Sequence, residues 1–159
     1  MICMGGINLI DKNISCVIGE HYVLCELLRN EFQAYIANGS TQEGWDIIVI
    51  LKSKVLKLQV KTAQWIDKGT TAINGKFSED NYDFLVIVLI NFCSEKYTTF
   101  IISKNELEMK NEKYSRGLIN MKNNKVLYTN KTITLNNLKD NSTKKLFCNL
   151  FQNKWGKFK

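Results

Sequence analysis

The sequence contains one histidine, His21, and no pair of cysteines at C-x-x-C spacing among Cys3, Cys16, Cys25, Cys93 and Cys148. A histidine-rich metal centre is therefore excluded, and an odd set of scattered thiols fits neither a zinc site nor a disulfide framework. Reduced, buried cysteines of a cytoplasmic protein account for them. No G-x-S-x-G turn accompanies His21, so nothing supports a serine-hydrolase triad. A P-loop and a G-x-G-x-x-G turn are also missing. The longest apolar runs, such as Phe84 to Ile90, are far too short to cross a bilayer. The opening MICMGGINLIDKN lacks the basic leader and apolar core of a signal peptide. These absences predict a cytoplasmic protein without membrane association.

What the chain does hold is an ordinary globular composition, 45% hydrophobic and 23% charged over 159 residues. That predicts one domain with a proper core. The net charge of +7 is unevenly placed. Residues 1–109 carry 10 Lys/Arg against 13 Asp/Glu, whereas residues 110–159 carry 12 against only Glu112 and Asp140. A polyanionic partner would explain such a basic C-terminal third. A lysine- and asparagine-rich solvated surface would explain it equally well.

Hydrophobic spacing predicts the elements. Asn13 or Ser15 can cap a helix running to about Asn30, with Ile14, Val17, Ile18, Cys25 and Leu28 on its apolar stripe, widened by Leu24 and Leu27. Strands are predicted at 32–37, 46–51 and 55–62, followed by a polar excursion over 66–81. The nearly continuous apolar run from Tyr82 to Ile90 reads as a central strand covered on both faces. A strand at 98–102 leads to Ser103, which with Glu106 forms a capping box for a helix to about Lys110. Residues 111–131 show no period, 132–135 suggest a short strand, and 142–154 suggest a closing helix. The class is α/β, a central mixed sheet flanked by helices.

The stretch DIIVILKSKVLKLQVK, from Asp46 to Lys61, organises the rest. Paired as a hairpin, it returns Asp46 beside Gln59 and Lys61, which share a face while Val60 takes the other. Two readings are open on these residues alone: an ordinary half-buried hairpin, or a polar site at a sheet edge. With Glu20 added, the set offers carboxylate and amide oxygens suited to Mg²⁺. A lysine beside such a site can orient water or stabilise the charge that develops on a phosphoryl group. That chemistry needs no histidine.

A helix bearing Gly19-Glu20, a strand opened by Asp46 in WDIIV, and Gln59-Val60-Lys61-Thr62 resemble the PD-(D/E)xK nuclease superfamily, with its restriction-endonuclease-like core. The Q-x-K form is similar to that of small group I intron homing endonucleases. Glu20 lies 26 residues before Asp46, and Asp46 lies 13 before Gln59. The resemblance spans about residues 13–102, leaving 110–159 as a basic extension. It implies a Mg²⁺-dependent DNA endonuclease, with Mn²⁺ able to substitute, working as a homodimer or homotetramer. It further implies Asp46 as the central metal ligand, Gln59 and the Val60 carbonyl as additional ligands, Glu20 as a direct or water-mediated one, and Lys61 at the attacking water. The chain departs from the pattern twice. Trp45 stands where the family has proline, and Gln59 replaces an acid, which removes one negative charge.

Other residues fit ordinary roles better. Glu26 reads as a surface charge, Glu43 as a loop glutamate, and Asp83 as a structural acid at a strand start. Trp45 and Trp65 read as core residues in preference to base-stacking ones, and His21 as a neighbour of Glu20. The alternative to an enzyme is a catalytically inactive descendant of the same fold that binds nucleic acid or protein, with Gln59 as the trace of lost chemistry.

Overall fold

The main sheet has five strands, set side by side as the first, second, third, fifth and sixth strands of the chain, and of its pairings only that of the third with the fifth is parallel. A computed structural model of the protein describes residues 10–37, 44–65, 71–74, 81–92, 96–108, 121–122, 125–126, 132–135, 145 and 148–159. Helix α1 spans Lys12–Arg29 and is followed by β1 (Gln33–Ile36), β2 (Ile47–Ile50) and β3 (Val55–Gln64). Next come β4 (Thr71–Asn74), β5 (Phe84–Ile90), β6 (Tyr97–Ser103) and the short α2 (Lys104–Glu108). The strands β7 (Met121–Lys122), β8 (Lys125–Val126) and β9 (Thr132–Leu135) precede a 3-10 turn at Trp155–Phe158. Two small ladders, β4 with β9 and β7 with β8, form sheets of their own, and Ile73 of β4 packs in the core with Leu85, Ile87 and Leu89. Among the described residues no helix is long and apolar enough to cross a membrane.

Alternation along β3 sorts the core into two layers. Leu56, Leu58 and Val60 join Ile47, Val49, Val86, Val88 and Ile101 under α1, whose Val23 and Leu27 cover them. Ala63 and Trp65 face the other way, toward Leu85, Ile87, Leu89, Phe100 and Ile102. Burial of β5 on both faces is why it reads as one unbroken apolar run. The end of the chain enters both layers. Phe151 packs in the second, while Trp155 and Phe158 pack in the first, Phe158 edge-on to Phe32 and Phe84. Each such buried side chain contributes about 1.5–3 kcal/mol of transfer free energy.

Helix α1 differs from expectation at two points. Its N-cap is Asp11, not Asn13 or Ser15: Asp11 Oδ1 accepts from the Asn13 and Ile14 amides at 2.9 and 3.3 Å. Ser15 is buried and donates its hydroxyl to the Asp11 carbonyl at 2.9 Å. The buried face is Ser15, Gly19, Val23 and Leu27. Ile14, Val17 and Leu28, predicted to be core, remain 56%, 53% and 53% exposed. The helix approaches the sheet so closely that small residues fit at its N-terminal half, where large apolar ones would not.

The capping box at Ser103 forms as predicted. Ser103 Oγ accepts from the Glu106 amide at 3.2 Å, and Glu106 Oε2 accepts from the Ser103 amide at 2.8 Å. Lys145 and Cys148–Phe151 are helical, in keeping with a closing helix. Within the predicted excursion over 66–81, residues 71–74 form β4; 66–70 and 75–80 lie outside the described residues. So do Glu43, Lys110 and most of 111–131.

Candidate active site

Strand β2 accompanies β3 only as far as the pairing of Ile47 with Leu58. The Asp46 amide adds one further bond, to the Leu58 carbonyl at 2.8 Å, and the Asp46 carbonyl receives the Ala37 amide at 2.8 Å. Past this point β2 leaves β3, and among the described residues the edge of β3 from Gln59 onward has no ladder partner on that side. The Asp46 side chain fills the gap: its Oδ2 accepts the Val60 amide at 2.6 Å. A backbone donor buried at a fork needs an acceptor, and a carboxylate supplies a strong one. Asp46 is thereby held by its main chain on two sides and by its carboxylate on a third.

Gln59 is buried, only 4% exposed. Its Nε2 donates to the same Asp46 oxygen and lies 3.4 Å from the Val60 carbonyl oxygen. The amide nitrogen thus sits between two oxygens. A half-turn of the carboxamide would present Oε1 there instead, since hydrogen bonding selects its orientation. Gln59 and Lys61 share the face of β3 turned from α1, as strand alternation requires, while Val60 packs in the layer beneath α1.

Glu20 arrives from α1 on the opposite face. Its carboxyl is held above the ordinary value of 4.5, first by burial and then by the negative charge of Asp46; His21 and Lys61 pull the other way. Helix and fork therefore bring two mutually repelling carboxylates and a lysine into one electrostatic environment. Gly19 makes this approach possible: a Cβ there would lie 1.7 Å from Thr62 Oγ1 and 2.9 Å from Thr62 Cβ. Thr62 Oγ1 is buried without a hydrogen-bond partner among the described residues. The structural use of Gly19 and Thr62 was not deduced from the sequence, although the adjacency of Gly19 to Glu20 and of Thr62 to Lys61 offered the signal.

The donor set fits a hard divalent cation. Carboxylate, amide and backbone carbonyl oxygens are the groups Mg²⁺ takes, and a cation would relieve the repulsion between Glu20 and Asp46. Among the described residues no cluster of three His, Cys, Asp or Glu side chains is present. The site's acidic complement is the pair Glu20 and Asp46, with Gln59 in the third place.

The other candidates lie elsewhere. Asp83 Oδ2 accepts the Lys57 amide at 2.8 Å and the Asp83 amide returns a bond to the Lys57 carbonyl, which fastens β3 to the start of β5. Glu26 pairs with Arg29 at 2.8 Å. Trp65 is buried edge-on against Phe92, and the partly buried Trp45 packs on the same layer with Lys57 Nζ 5.8 Å from its ring centre. His21 Nδ1 lies 2.9 Å from the Val17 carbonyl on the exposed side of α1. The described cysteines are less buried than predicted: Cys16 and Cys148 are half-buried and Cys25 is exposed.

A mixed five-stranded sheet with helices on its faces and a forked β2–β3 hairpin makes this an α/β protein of homing-endonuclease-like fold. One solved structure with this likeness is that of a bacterial homing endonuclease, I-Ssp6803I. The match has a TM-score of 0.53 at 12% identity and covers 80% of this chain and 76% of that one. No protein-family model and no curated protein matches the sequence.

Proposed function

We propose that the protein is a metal-dependent DNA endonuclease that hydrolyses phosphodiester bonds through a PD-(D/E)xK-type site in its Q-x-K form. The observation that carries this reading is the fork. The Asp46 carboxylate, the Gln59 carboxamide and the Val60 carbonyl converge where β2 leaves β3, within the electrostatic reach of Glu20 and Lys61. The structural likeness to a homing endonuclease supports the class. A homing, restriction or repair enzyme would use the same site.

In this reading Asp46, Gln59, the Val60 carbonyl and Glu20 would hold Mg²⁺, and Mn²⁺ would substitute for it. The bound cation would supply positive charge to a phosphoryl oxygen and to a water. Lys61 orients the attacking water by donating to it and offsets negative charge on the phosphoryl group. Asp46, fixed by the Val60 amide, stays in place without reorganisation. Gln59 carries no charge, so the site binds its cation more weakly than an all-acid one. The basic residues of 110–159 contact phosphates, which makes DNA binding steeply salt-dependent.

Plasmid cleavage in Mg²⁺ or Mn²⁺ tests the proposal. Wild type should cut and Lys61→Ala should lose at least two orders of magnitude in rate, in the range of a positioned catalytic group. Equal inactivity of both across varied substrates would count against it. One observation favours a second reading, an inactive nucleic-acid- or protein-binding module: Gln59, an amide where the family has an acid, is buried and donates to the Asp46 carboxylate. Calorimetric titration separates the two. A Mn²⁺ response abolished by Asp46→Asn supports the enzyme, and a wild type indifferent to metal supports the module.

A further inference from the structure

One face of β1, β2 and β3 lies under α1. On the other face, the register sets Tyr35, Ile48 and Lys57 in one row and Gln33, Ile50 and Val55 in the next. The layer of Leu85, Ile87, Phe100 and Ile102 covers this side of the sheet over β5 and β6 and takes in none of those six residues. Tyr35, Ile50 and Val55 stay 50%, 36% and 53% exposed. Along β3 the line of Val55 and Lys57 continues into Gln59 and Lys61. The uncovered quadrant therefore runs directly into the candidate site.

Charge on this quadrant has one sign. From Ile47 to Ile66 the chain has no Asp or Glu and holds Lys52, Lys54, Lys57 and Lys61. These are four of the 10 Lys/Arg in residues 1–109, whereas all 13 Asp/Glu of that segment lie outside the stretch. Lys52 and Lys54 are exposed in the turn between β2 and β3. Lys57 Nζ stands 5.8 Å from the ring centre of Trp45, which packs on the border of the covered layer. The neighbouring acid, Asp83, is engaged by the Lys57 amide at 2.8 Å. An apolar face rimmed by lysines complements a nucleic-acid groove, where base edges lie between two rows of phosphates.

We propose that this face reads duplex DNA beside the cleaved bond. The ribbon of β2 and β3 lies in the major groove, Ile50 and Val55 meet thymine methyl groups, and Lys52, Lys54 and Lys57 meet the flanking phosphates. The inference rests on the nuclease reading and gives it a source of sequence preference. A two-stranded ribbon fits the major groove of B-DNA, about 12 Å wide, and thymine shows its methyl group only there. Val55 precedes Gln59 by four residues, about 13 Å of strand. At about 3.4 Å per base pair that is a distance of roughly four pairs. The expected preference is therefore for A·T pairs about that far from the cleaved phosphate.

Binding of the full chain to randomised duplexes in metal-free buffer tests the proposal without cleavage, and the selected duplex then serves as the probe. Wild type should enrich A·T pairs. Replacing their thymines by uracil, which lacks only the methyl group, should weaken wild-type binding several-fold. Ile50→Ala/Val55→Ala should not feel that replacement. Lys52→Gln/Lys54→Gln should flatten the dependence of log affinity on log salt by about 1.8, two phosphates at about 0.9 each. Lys12→Gln/Lys96→Gln makes the same charge change at the opposite end of the sheet, near Gln64 and Asn91, and should leave the slope as it is. No A·T enrichment, equal slopes for the two lysine pairs, or a uracil effect that the apolar variant shares would each overturn the proposal and leave the face to a protein partner. Plasmid cleavage keeps the two readings apart. Cutting by wild type alongside those negative results removes the groove contact alone, whereas the expected binding without cutting in Mn²⁺ upholds the groove contact and removes the enzyme. A chain that binds no duplex overturns both.

Discussion

Gly19 and Thr62 touch so closely that a methyl group on Gly19 would sit 1.7 Å from Thr62 Oγ1. The contact sets the distance of α1 from β3, and with it the distance of Glu20 from the fork. Gly19→Ala must lift the helix or displace Thr62, and overpacking of this kind costs on the order of 3 kcal/mol. Urea denaturation should show that loss. Gly19→Ala combined with Thr62→Gly, which removes the opposing side chain, should be more stable than Gly19→Ala alone. A double variant no better than the single one would mean that the contact is not what fixes the helix.

Thr62 yields its own prediction. Its hydroxyl is buried without a hydrogen-bond partner among the described residues, so it gives up water for nothing in return. Valine has nearly the same shape and no polar atom to desolvate. Thr62→Val should therefore raise stability by about 1 kcal/mol, visible as a higher denaturation midpoint. A lower midpoint would indicate that the hydroxyl has a partner in solution.

Asp46 has a structural duty that can be separated from any metal. Asparagine at this position keeps an oxygen for the Val60 amide and loses the charge. Asp46→Asn should therefore retain a thermal midpoint within a few degrees of wild type and lose the Mn²⁺ response. Asp46→Ala strands the Val60 amide at the fork and should cost about 1–3 kcal/mol in addition. If the two variants unfold alike, the bond from Val60 is not a support of the fold.

The contrast between β3 and α1 shows what the sequence disclosed. In β3 one period governs everything: two residues apart means one face, so the shared side of Gln59 and Lys61 followed directly. The reciprocal bonds of Ser103 and Glu106 are equally local, and were legible for that reason. In α1 two stripes compete. The more hydrophobic one, through Ile14, Val17 and Leu28, predicts the core face, but the sheet takes the smaller one. Only the tertiary approach, with Thr62 against Gly19, decides between them, and that contact joins residues 43 apart. The Asp11 cap was missed because Asn13 and Ser15 offer the same chemistry within one turn. Fork convergence was foreseeable from spacing; Asp46 acting as ladder partner to Val60 was not, because it depends on where β2 stops.

Glu20 should lower the stability of the metal-free protein. Burial and Asp46 hold its carboxyl above the ordinary 4.5, so ionising it is harder in the fold than in the unfolded chain. The sign follows from proton linkage. Below 4.5 the group is protonated in both states and contributes no penalty. As pH rises through the folded value the penalty grows to its full size. Glu20→Gln should thus melt higher than wild type at neutral pH without metal, and the gap should close on acidification. With Mn²⁺ present the order should reverse, because only wild type gains from the cation. A variant less stable than wild type in metal-free neutral buffer would refute the strain assigned to this carboxylate.

Glu106 gives the opposite pH dependence. Burial alone would raise its carboxyl, but bonds from Lys157 and from the Ser103 amide and hydroxyl outweigh it and hold the group below 4.5. Lys157 Nζ lies 2.7 Å from both carboxylate oxygens and donates to the Ile101 carbonyl at 3.1 Å, tying the 3-10 turn to β6 and α2. A lowered folded value means that the stabilisation is complete above 4.5 and is lost as pH falls through the folded value. Lys157→Met keeps the packing on Phe151, where Nζ now stands 4.7 Å from the ring centre, and removes the charge. It should cost about 1 kcal/mol at neutral pH, as suits a partly exposed pair. Thermal melts of wild type and Lys157→Met at neutral and at acid pH give the difference directly. It should shrink below 4.5 without vanishing, because the Ile101 carbonyl still loses its donor. A difference independent of pH would assign Lys157 to the Ile101 bond alone and leave Glu106 with no part in holding the end of the chain.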